Sequence, residues 1–459
     1  MTYAARYRLC TCLFTIKATF SLLLALTALG GLSYRVWDLH RIGLELRQFN
    51  EWRTKPVVFD PTGVSCDSTR TGRARLEQKE GMMIGYSLDW KRDVPLDIAS
   101  RVGGLRGAIS NAFLQVNPDA NPPYNTAMLA WHAQAVQQMG GILEITFEVL
   151  DLTRMTDAVY EQMAQQLREI NEKNGVPVFL RWCHEMNGDW TSYGYKPALY
   201  IPSFRKMTET VRKYTNMTAM VWSPNIGIAY PFTVSAGAQS PPPTLATDPV
   251  NFRLLKTSTH NPTQIDPYDD PYLPYYPGDD VVDWVSLSLY YYPDQTNWEQ
   301  PSTWLNYVPE MDFFASQLDG EGPWVDRVLG PDSNAQTRGV RAFYQRFSVA
   351  RNKPMMLAES GAPLLVGRGG AAELDIKRAW WQQSVNATVL SRYPNLKAIV
   401  NFEEEKDNGD GTRRDWAYSF NPVVAKGYRD YLTGFKKGGG KIWFADELKF
   451  ACDGSVEVV

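Results

Sequence analysis

The chain is long, moderately hydrophobic and almost neutral: it has 459 residues, 44% of them hydrophobic, and a formal net charge of −3. This length and composition allow one large barrel or two to three ordinary domains, each with a sizeable core. The weak negative charge, with Lys and Arg scattered along the chain, argues against nucleic acid as a partner.

The first forty residues contain an uncharged, apolar segment. Residues 18–32 carry no charge, whereas Arg6, Arg8 and Lys17 lie on their N-terminal side. This asymmetry is typical of a segment inserted with its N terminus in the cytosol. Its length fits an uncleaved signal anchor or the core of a signal peptide, and a buried soluble helix is a third interpretation. We therefore expect residues 1–40 to place the rest of the chain in the lumen or outside the cell, at the membrane or secreted.

Residues 41–79 are polar and Arg-rich with little periodicity, which predicts a stem and lead-in before the ordered domain. From residue 80 onwards, eight short apolar runs recur, as buried parallel strands do. They span residues 82–86, 107–113, 142–147, 178–185, 219–223, 284–290, 355–359 and 398–402.

Amphipathic segments separate several of these runs. Between the third and fourth runs, Val159, Met163 and Leu167 recur at helical spacing until Gly175 stops the helix. Alternating strands and helices predict an α/β fold, a closed (β/α)8 TIM barrel, over residues 80–437.

Two stretches do not follow the alternation. Residues 226–282, after the fifth strand, are far longer than an ordinary loop and rich in proline. They emerge at the catalytic face, either as a cleft wall that lends aromatic side chains to sugar subsites or as a solvent-covering excursion. Residues 438–459 predict a C-terminal tail packed on the barrel.

Two of the apolar runs end in a glutamate. Glu185 ends the fourth strand and Glu359 ends the seventh, so both carboxyl groups are expected at the C-terminal ends of the strands, where barrel enzymes place their chemistry. Glycosidic cleavage with retention needs one protonated and one ionised carboxyl group, roughly 5 to 5.5 Å apart. The sequence therefore predicts Glu185 as the acid/base and Glu359 as the nucleophile.

Side chains of the types that bind sugars stand at the ends of the predicted strands four, five and six. These strand ends lie on the same face of the predicted barrel as the two carboxyl groups. The predicted substrate-binding residues are His184, Asn187, Trp190, Trp222, Asn225 and Tyr290. Tyr290 is also expected to orient the nucleophile, although Tyr291 and Tyr292 are adjacent alternatives.

Other catalytic chemistries fit the chain poorly. A zinc site at His184 and Glu185 requires a second histidine four residues on, where Gly188 stands, and the chain has only four histidines. Ser360 lacks the flanking glycines of a nucleophile elbow, and no phosphate-binding glycine loop follows any strand. We therefore expect neither a metal nor a cofactor.

The cysteines and glycosylation motifs fit a lumenal or extracellular domain. Cys66 precedes the folded region and Cys452 follows it, so a disulfide between them would join the two ends of the domain. Cys183 remains as a free thiol, which period-two alternation places on the same inward face as Glu185. Asn216 and Asn386 are candidate glycosylation sites.

Several motifs resemble those of glycoside hydrolase family 26, over residues 82–416. Residues 184–190, HEMNGDW, are similar to the acid/base motif, and residues 358–361, AESG, to the nucleophile strand. Residues 221–225, VWSPN, are similar to the family's ending of strand five, and residues 276–280, YPGDD, to its approach to strand six. The resemblance implies a retaining double displacement without a cofactor, on a β-linked polysaccharide.

The family includes β-mannanases, lichenase-like β-glucanases and β-1,3-xylanases, and the motifs are closer to the lichenase-like members. A β-1,3-1,4-glucan is therefore the favoured substrate, and β-1,4-mannan is next. Two alternatives stay open: a membrane-tethered transglycosylase or trimming partner of a polysaccharide synthase, and a non-catalytic carbohydrate-binding barrel. The sequence leaves open the polymer, endo or exo action, anchor cleavage and oligomeric state.

Overall fold

The computed structural model describes residues 72–232, 238–292, 303–330, 333–407 and 410–459. The predicted N-terminal segment and Cys66 lie outside these residues. Within the described ranges, no helix has the length and apolar character needed to cross a bilayer.

Within the described part of the chain, eight parallel strands close into a barrel. The strands are β1 (Met82–Leu88), β2 (Ile109–Val116), β3 (Ile142–Val149), β4 (Val178–Trp182), β5 (Thr218–Trp222), β6 (Trp284–Tyr290), β7 (Met355–Gly361) and β8 (Leu396–Glu403). Each strand pairs with its sequence neighbours, and β8 closes the circle by pairing with β1 over six residues. The predicted (β/α)8 barrel is therefore confirmed.

Helices follow most of the strands, because the crossover between parallel strands packs a helix on the outside of the barrel. They are α1 (Pro95–Arg101), α2 (Thr126–Met139), α3 (Asp157–Glu169), α4 (Pro197–Val211), α5 (Pro249–Leu255), α6 (Phe313–Asp319), α7 (Pro323–Leu329), α8 (Ala335–Gly339), α9 (Glu373–Ser384), α10 (Ala387–Arg392) and α11 (Pro422–Lys437). The predicted helix before β4 is α3, which runs into a π-helical turn, Ile170–Asn174, and ends at Gly175 with a φ of +65°.

The strands bury side chains on both faces, in two separate clusters. The larger cluster fills the space between the barrel and its helices and includes Leu180 and Trp182 of β4. The smaller one, the inner cluster, fills the barrel near the N-terminal ends of the strands, with Phe179, Val221 and Trp284 among its members. Above the inner cluster, the barrel interior is polar, and this polar layer carries the candidate site.

Segments from both ends of the described chain close the N-terminal face of the barrel. Leu76 is fully buried in the inner cluster together with Leu448 of the C-terminal hairpin, Leu448–Phe450 with Val456–Val458. The indole of Trp284 donates a 2.7 Å hydrogen bond to the backbone oxygen of Arg75. The structure therefore extends the barrel domain into a stretch that the sequence assigned to the lead-in.

The long connection between β5 and β6 is folded rather than extended. It contains α5 and a short 3-10 helix, Leu273–Tyr275. The acidic stretch after β8 also forms structure, because Glu405–Asp407 pairs with Arg413–Asp415 and the latter with Leu364–Leu365. This small antiparallel sheet lies beyond the C-terminal ends of β7 and β8.

The cysteines and sequons have the following positions. Cys183 is a buried free thiol, but it belongs to the outer cluster, so its predicted inward orientation is wrong. Cys452 is disulfide-bonded, and since Cys66 lies outside the described residues, their pairing stays a prediction. Asn216 is exposed, whereas the side chain of Asn386 is partly buried and caps α10.

Candidate active site

Glu185 lies in a tight turn after β4, not in the strand as predicted. The strand ends at Trp182, and both Cys183 and Glu185 have left-handed backbones, with φ of +49° and +54°. Such conformations are costly for side-chain-bearing residues and persist where the surrounding structure holds them. The amide of Glu185 donates to the backbone oxygen of Ser223 at 2.8 Å, which fixes the turn against β5.

Glu359 reaches the barrel interior through a β-bulge in β7. Met356 and Ala358 both face inward, so strict alternation would turn Glu359 outward. The β6–β7 register shifts between Leu287 and Ser288, with one extra residue on β7. Bulges re-aim side chains next to active sites, and this one brings Glu359 back to the interior.

The Glu359 carboxyl group is held by two donors from neighbouring strands. Arg181 of β4 donates to one oxygen, and the hydroxyl of Tyr290 donates to the other at 2.6 Å. The fully buried Arg181 also donates to Ser223 at 2.8 Å and to Ser288 at 2.7 Å. Burial opposes ionisation of Glu359, but Arg181 and the Tyr290 hydrogen bond outweigh it and lower its pKa. Glu359 is therefore the ionised member of the pair.

The Glu185 carboxyl group also has both oxygens occupied, by neutral donors. Trp190 Nε1 donates to Oε2 at 2.7 Å, and Asn225 Nδ2 donates to Oε1 at 2.8 Å. Burial and the nearby negative charge of Glu359 raise the pKa of Glu185, against the attraction of Arg181. Glu185 is therefore the member of the pair that keeps its proton to higher pH.

His184 lies beside the pair. One of its ring nitrogens and one oxygen each from Glu185 and Glu359 lie within 4.8 Å of one another. Burial and the positive charge of Arg181 lower the pKa of His184 to about 3, so the imidazole is neutral. Its ring meets Phe113 edge-on, with 5.6 Å between centroids. A neutral imidazole here can hydrogen-bond a sugar hydroxyl.

These three residues also have the atom types of a metal site, but their surroundings do not fit one. Each of the four carboxyl oxygens already accepts a hydrogen bond, from Arg181 and Tyr290 at Glu359 and from Trp190 and Asn225 at Glu185. The Arg181 guanidinium group, itself a cation, lies next to Glu359 and opposes the binding of a second cation there. The arrangement fits a pair of carboxyl groups with different pKa values better than a cation site.

Most of the predicted site residues come together, and two do not. Trp222 is fully buried outside the barrel, where it stacks on Phe343 and donates to the backbone oxygen of Tyr275. Asn187 is also fully buried and bonds only to the backbone of Asn225. Neither side chain can contact a sugar, so their predicted substrate-binding role is corrected.

The structure adds residues that the sequence reasoning did not single out. Arg181 lies within the predicted fourth strand, residues 178–185, and its spacing of two from the apolar Phe179 places it on the inward face. Glu148 on β3 is partly exposed at the same level as the pair, and burial and Glu359 raise its pKa. Trp416 and Phe402 pack against the Tyr290 ring, with centroids 4.5 and 5.7 Å away, and fix its orientation.

A closed (β/α)8 barrel with two carboxyl groups of opposite pKa shift at the ends of strands four and seven is an arrangement typical of O-glycosyl hydrolases. Comparison with known proteins points to one family within this class. Residues 112–234 match the model of glycosyl hydrolase family 26.

Two characterised relatives and one solved structure are similar to the chain. Endoglucanase H of Acetivibrio thermocellus is 24% identical over 314 residues, which are 66% of this chain and 25% of that protein. A β-1,3-xylanase of an Alcaligenes species is 26% identical over 254 residues, 54% of this chain and 45% of that protein. The chain thus spans less than half the length of either relative. A GH26 β-mannanase of Bacteroides ovatus covers 80% of this chain and 91% of its own, at 17% identity and a TM-score of 0.46.

Proposed function

We propose that the protein is a retaining glycoside hydrolase that cleaves a β-linked polysaccharide. The observation that carries the proposal is that two carboxyl groups in one site have pKa values shifted in opposite directions. Arg181 and Tyr290 favour the ionised form of Glu359, whereas burial favours the protonated form of Glu185. Oxygens of the two groups lie within 4.8 Å of each other, which supports the roughly 5 Å separation of retaining enzymes over the wider separation of inverting ones.

The geometry supports a double displacement. The ionised Glu359 attacks the anomeric carbon while Glu185 donates its proton to the departing glycosidic oxygen. This forms a covalent glycosyl-enzyme and releases the first product. The ionised Glu185 then takes a proton from water, whose oxygen attacks the anomeric carbon and expels Glu359. At the end of this step Glu185 is protonated again, Glu359 is ionised again, and the second product carries the hydroxyl group that came from water.

For the substrate, we propose a β-1,3-1,4-glucan first and β-1,4-mannan second. The motifs resemble those of the lichenase-like members most, which supports a glucan. The similarity to a relative named endoglucanase H supports the same substrate class. The similarity to a β-1,3-xylanase adds β-1,3-xylan as a polymer that must be compared.

The test is a substrate panel. The purified protein is incubated with lichenan, mannan, laminarin and β-1,3-xylan, and new reducing ends are counted. Glu185→Gln should lower the rate about 10²- to 10⁴-fold, since this is what a general acid contributes. No release from any polymer, or equal release by wild type and Glu185→Gln, contradicts the proposal.

The stereochemical course is tested separately. Proton NMR of the first-formed product should show the β-anomer, because two displacements at the same carbon restore its configuration. An α-anomer as the first product would remove Glu359 from the role of nucleophile.

We further propose that the chain enters the secretory route through residues 18–32. The charge asymmetry around this segment supports the proposal, and the exposed Asn216 in a glycosylation motif agrees with it. Expression of the full chain in eukaryotic cells should give a product whose mass falls on treatment with peptide N-glycosidase. Alkaline carbonate extraction then separates an anchored from a secreted form. An unglycosylated cytosolic product would refute the proposal.

A further inference from the structure

The direction of the Glu185 carboxyl group is set by neighbouring side chains and not by its own backbone. Because Glu185 lies in a turn, no strand ladder fixes the direction of its side chain. Its two oxygens are fixed instead by the Trp190 indole and the Asn225 amide. The position of these two donors therefore decides where the proton of Glu185 points.

Asn225 itself needs support. It follows the end of β5 and is joined to β6 by an isolated bridge to Ser288. Its backbone is held by Asn187 through two hydrogen bonds. The Asn187 amide donates to the Asn225 oxygen at 2.9 Å, and the Asn187 Oδ1 accepts from the Asn225 nitrogen at 2.8 Å. This reciprocal pair connects the turn that carries Glu185 to the loop that carries its donor.

The neighbouring Gly188 supports the other donor. A Cβ at Gly188 would lie 2.4 Å from the Trp190 ring, so only glycine leaves room for the indole beside Glu185. Residues 187 and 188 thus hold the two donors on either side of the carboxyl group, and neither offers a side chain to the cleft.

We propose that Asn187 is a positioning residue that sets the acid/base carboxyl group of Glu185 through Asn225. The inference rests on the proposed function, because it concerns the proton that Glu185 donates. It assigns Asn187 to the protonation of the leaving group and not to sugar binding.

The role has a specific kinetic signature. A leaving group that is a strong base when expelled, such as a sugar hydroxyl, needs a well-aimed proton donor. A dinitrophenolate leaves without one. A displaced Glu185 carboxyl group should therefore slow cleavage of the polysaccharide. The rate of cleavage of the dinitrophenyl glycoside of the same sugar should stay almost unchanged.

The test compares Asn187→Ala with Asn171→Ala. Asn171 is also buried and hydrogen-bonded, to Val176 and two threonines, but it precedes β4 at the opposite end of the strand. We expect Asn187→Ala to lower kcat/KM for the polysaccharide about 10- to 100-fold, the cost of a small misplacement. Its kcat/KM for the dinitrophenyl glycoside should stay within about 3-fold of wild type, and Asn171→Ala should change both substrates alike.

A second measurement needs no turnover. The Glu185 carboxyl group is titrated by ¹³C NMR in labelled protein and assigned by its loss in Glu185→Gln. Because the Asn225 hydrogen bond favours the ionised form, Asn187→Ala should raise the pKa of Glu185. The neutral Asn187→Ser, whose shorter side chain cannot make both bonds to the Asn225 backbone, gives the same direction if the alanine variant does not fold.

Equal losses on both glycosides, or an unchanged pKa of Glu185, would overturn the inference. Wild type that cleaves neither glycoside refutes the proposed function, and in that case the titration still decides whether Asn187 positions Glu185.

Discussion

Arg181 links three strands at the level of the catalytic pair. It is fully buried and donates to Glu359, Ser223 and Ser288. Removing one partner of a buried ion pair costs about 3–5 kcal/mol, because the other charge is left uncompensated. The guanidinium group also sets which of the two carboxyl groups is ionised, so its loss is expected to affect catalysis as well as stability.

We predict that Arg181→Lys lowers kcat/KM about 10²-fold or more, because an ammonium group cannot serve Glu359 and both serines at once. The pKa of Glu359 should rise, so the acid limb of the pH–rate profile moves to higher pH. Arg101→Lys is the matched control, since Arg101 donates in a similar way to Asp93 and Ser419 away from the site. An acid limb that stays in place would contradict the assignment.

Glu148 is a third carboxyl group near the pair, and it interacts electrostatically with both Glu359 and Glu185. We predict that Glu148→Gln moves the basic limb of the kcat/KM profile to lower pH, because removing a like charge lowers the pKa of Glu185. The control is Glu172→Gln, at an exposed position paired with Arg168. If both variants keep the wild-type profile, Glu148 does not influence the pair.

At the scale of elements, the strands were predictable because each is buried on both faces and reads as an apolar run. The amphipathic pattern likewise predicted α3. The direction in which a single strand side chain points could also be predicted from alternation. Val221 faces the barrel interior, so the next residue, Trp222, faces outward. The sequence reasoning took Trp222 as a rim residue because it stood near a strand end.

Two local irregularities were not predictable from apolar patterns. The bulge at Ala358 and the left-handed turn at Glu185 both change which way a side chain points, and neither has a hydrophobic signature. Both candidate catalytic carboxyl groups depend on such a departure from regular strand geometry. The sequence thus predicted the two glutamates, whereas the positioning role proposed for Asn187 depends on contacts that only the fold brings together.

The reassignment of Trp222 gives a stability prediction. Trp222→Ala should cost about 3–5 kcal/mol of unfolding free energy, the usual cost of truncating a buried aromatic side chain. The KM for polysaccharide should remain unchanged at temperatures where the variant is folded. Chemical denaturation and steady-state kinetics measure the two effects. A raised KM without loss of stability would restore Trp222 to the substrate cleft.

At the scale of the whole molecule, the barrel is closed at one face and open at the other. Leu76, Leu448 and Val456 fill the N-terminal face together with the inner cluster. The polar layer with Glu185 and Glu359 lies toward the C-terminal ends of the strands. Stability and chemistry are therefore located at opposite ends of the same strands, as in other (β/α)8 barrels.

We predict that Leu76→Ala lowers the unfolding free energy by about 2–5 kcal/mol, because it opens a cavity in the inner cluster. Urea denaturation measures the change, and kcat/KM of the folded variant should equal that of wild type. Val423→Ala, at an exposed position on α11, is the control. Equal unfolding free energies of the two variants would show that Leu76 does not contribute to the barrel core.

The closed face also determines where a tag or a solid support can be attached without covering the cleft. Ala74 and Val458, near the two ends of the described chain, both pack against the inner cluster, on the side away from the cleft. A purification tag, a fusion partner or a solid support joined after Val459, the residue next to Val458, therefore leaves the cleft unobstructed. Oriented capture through this end is expected to preserve access for a long insoluble polymer, whereas random coupling through surface lysines would block part of the population.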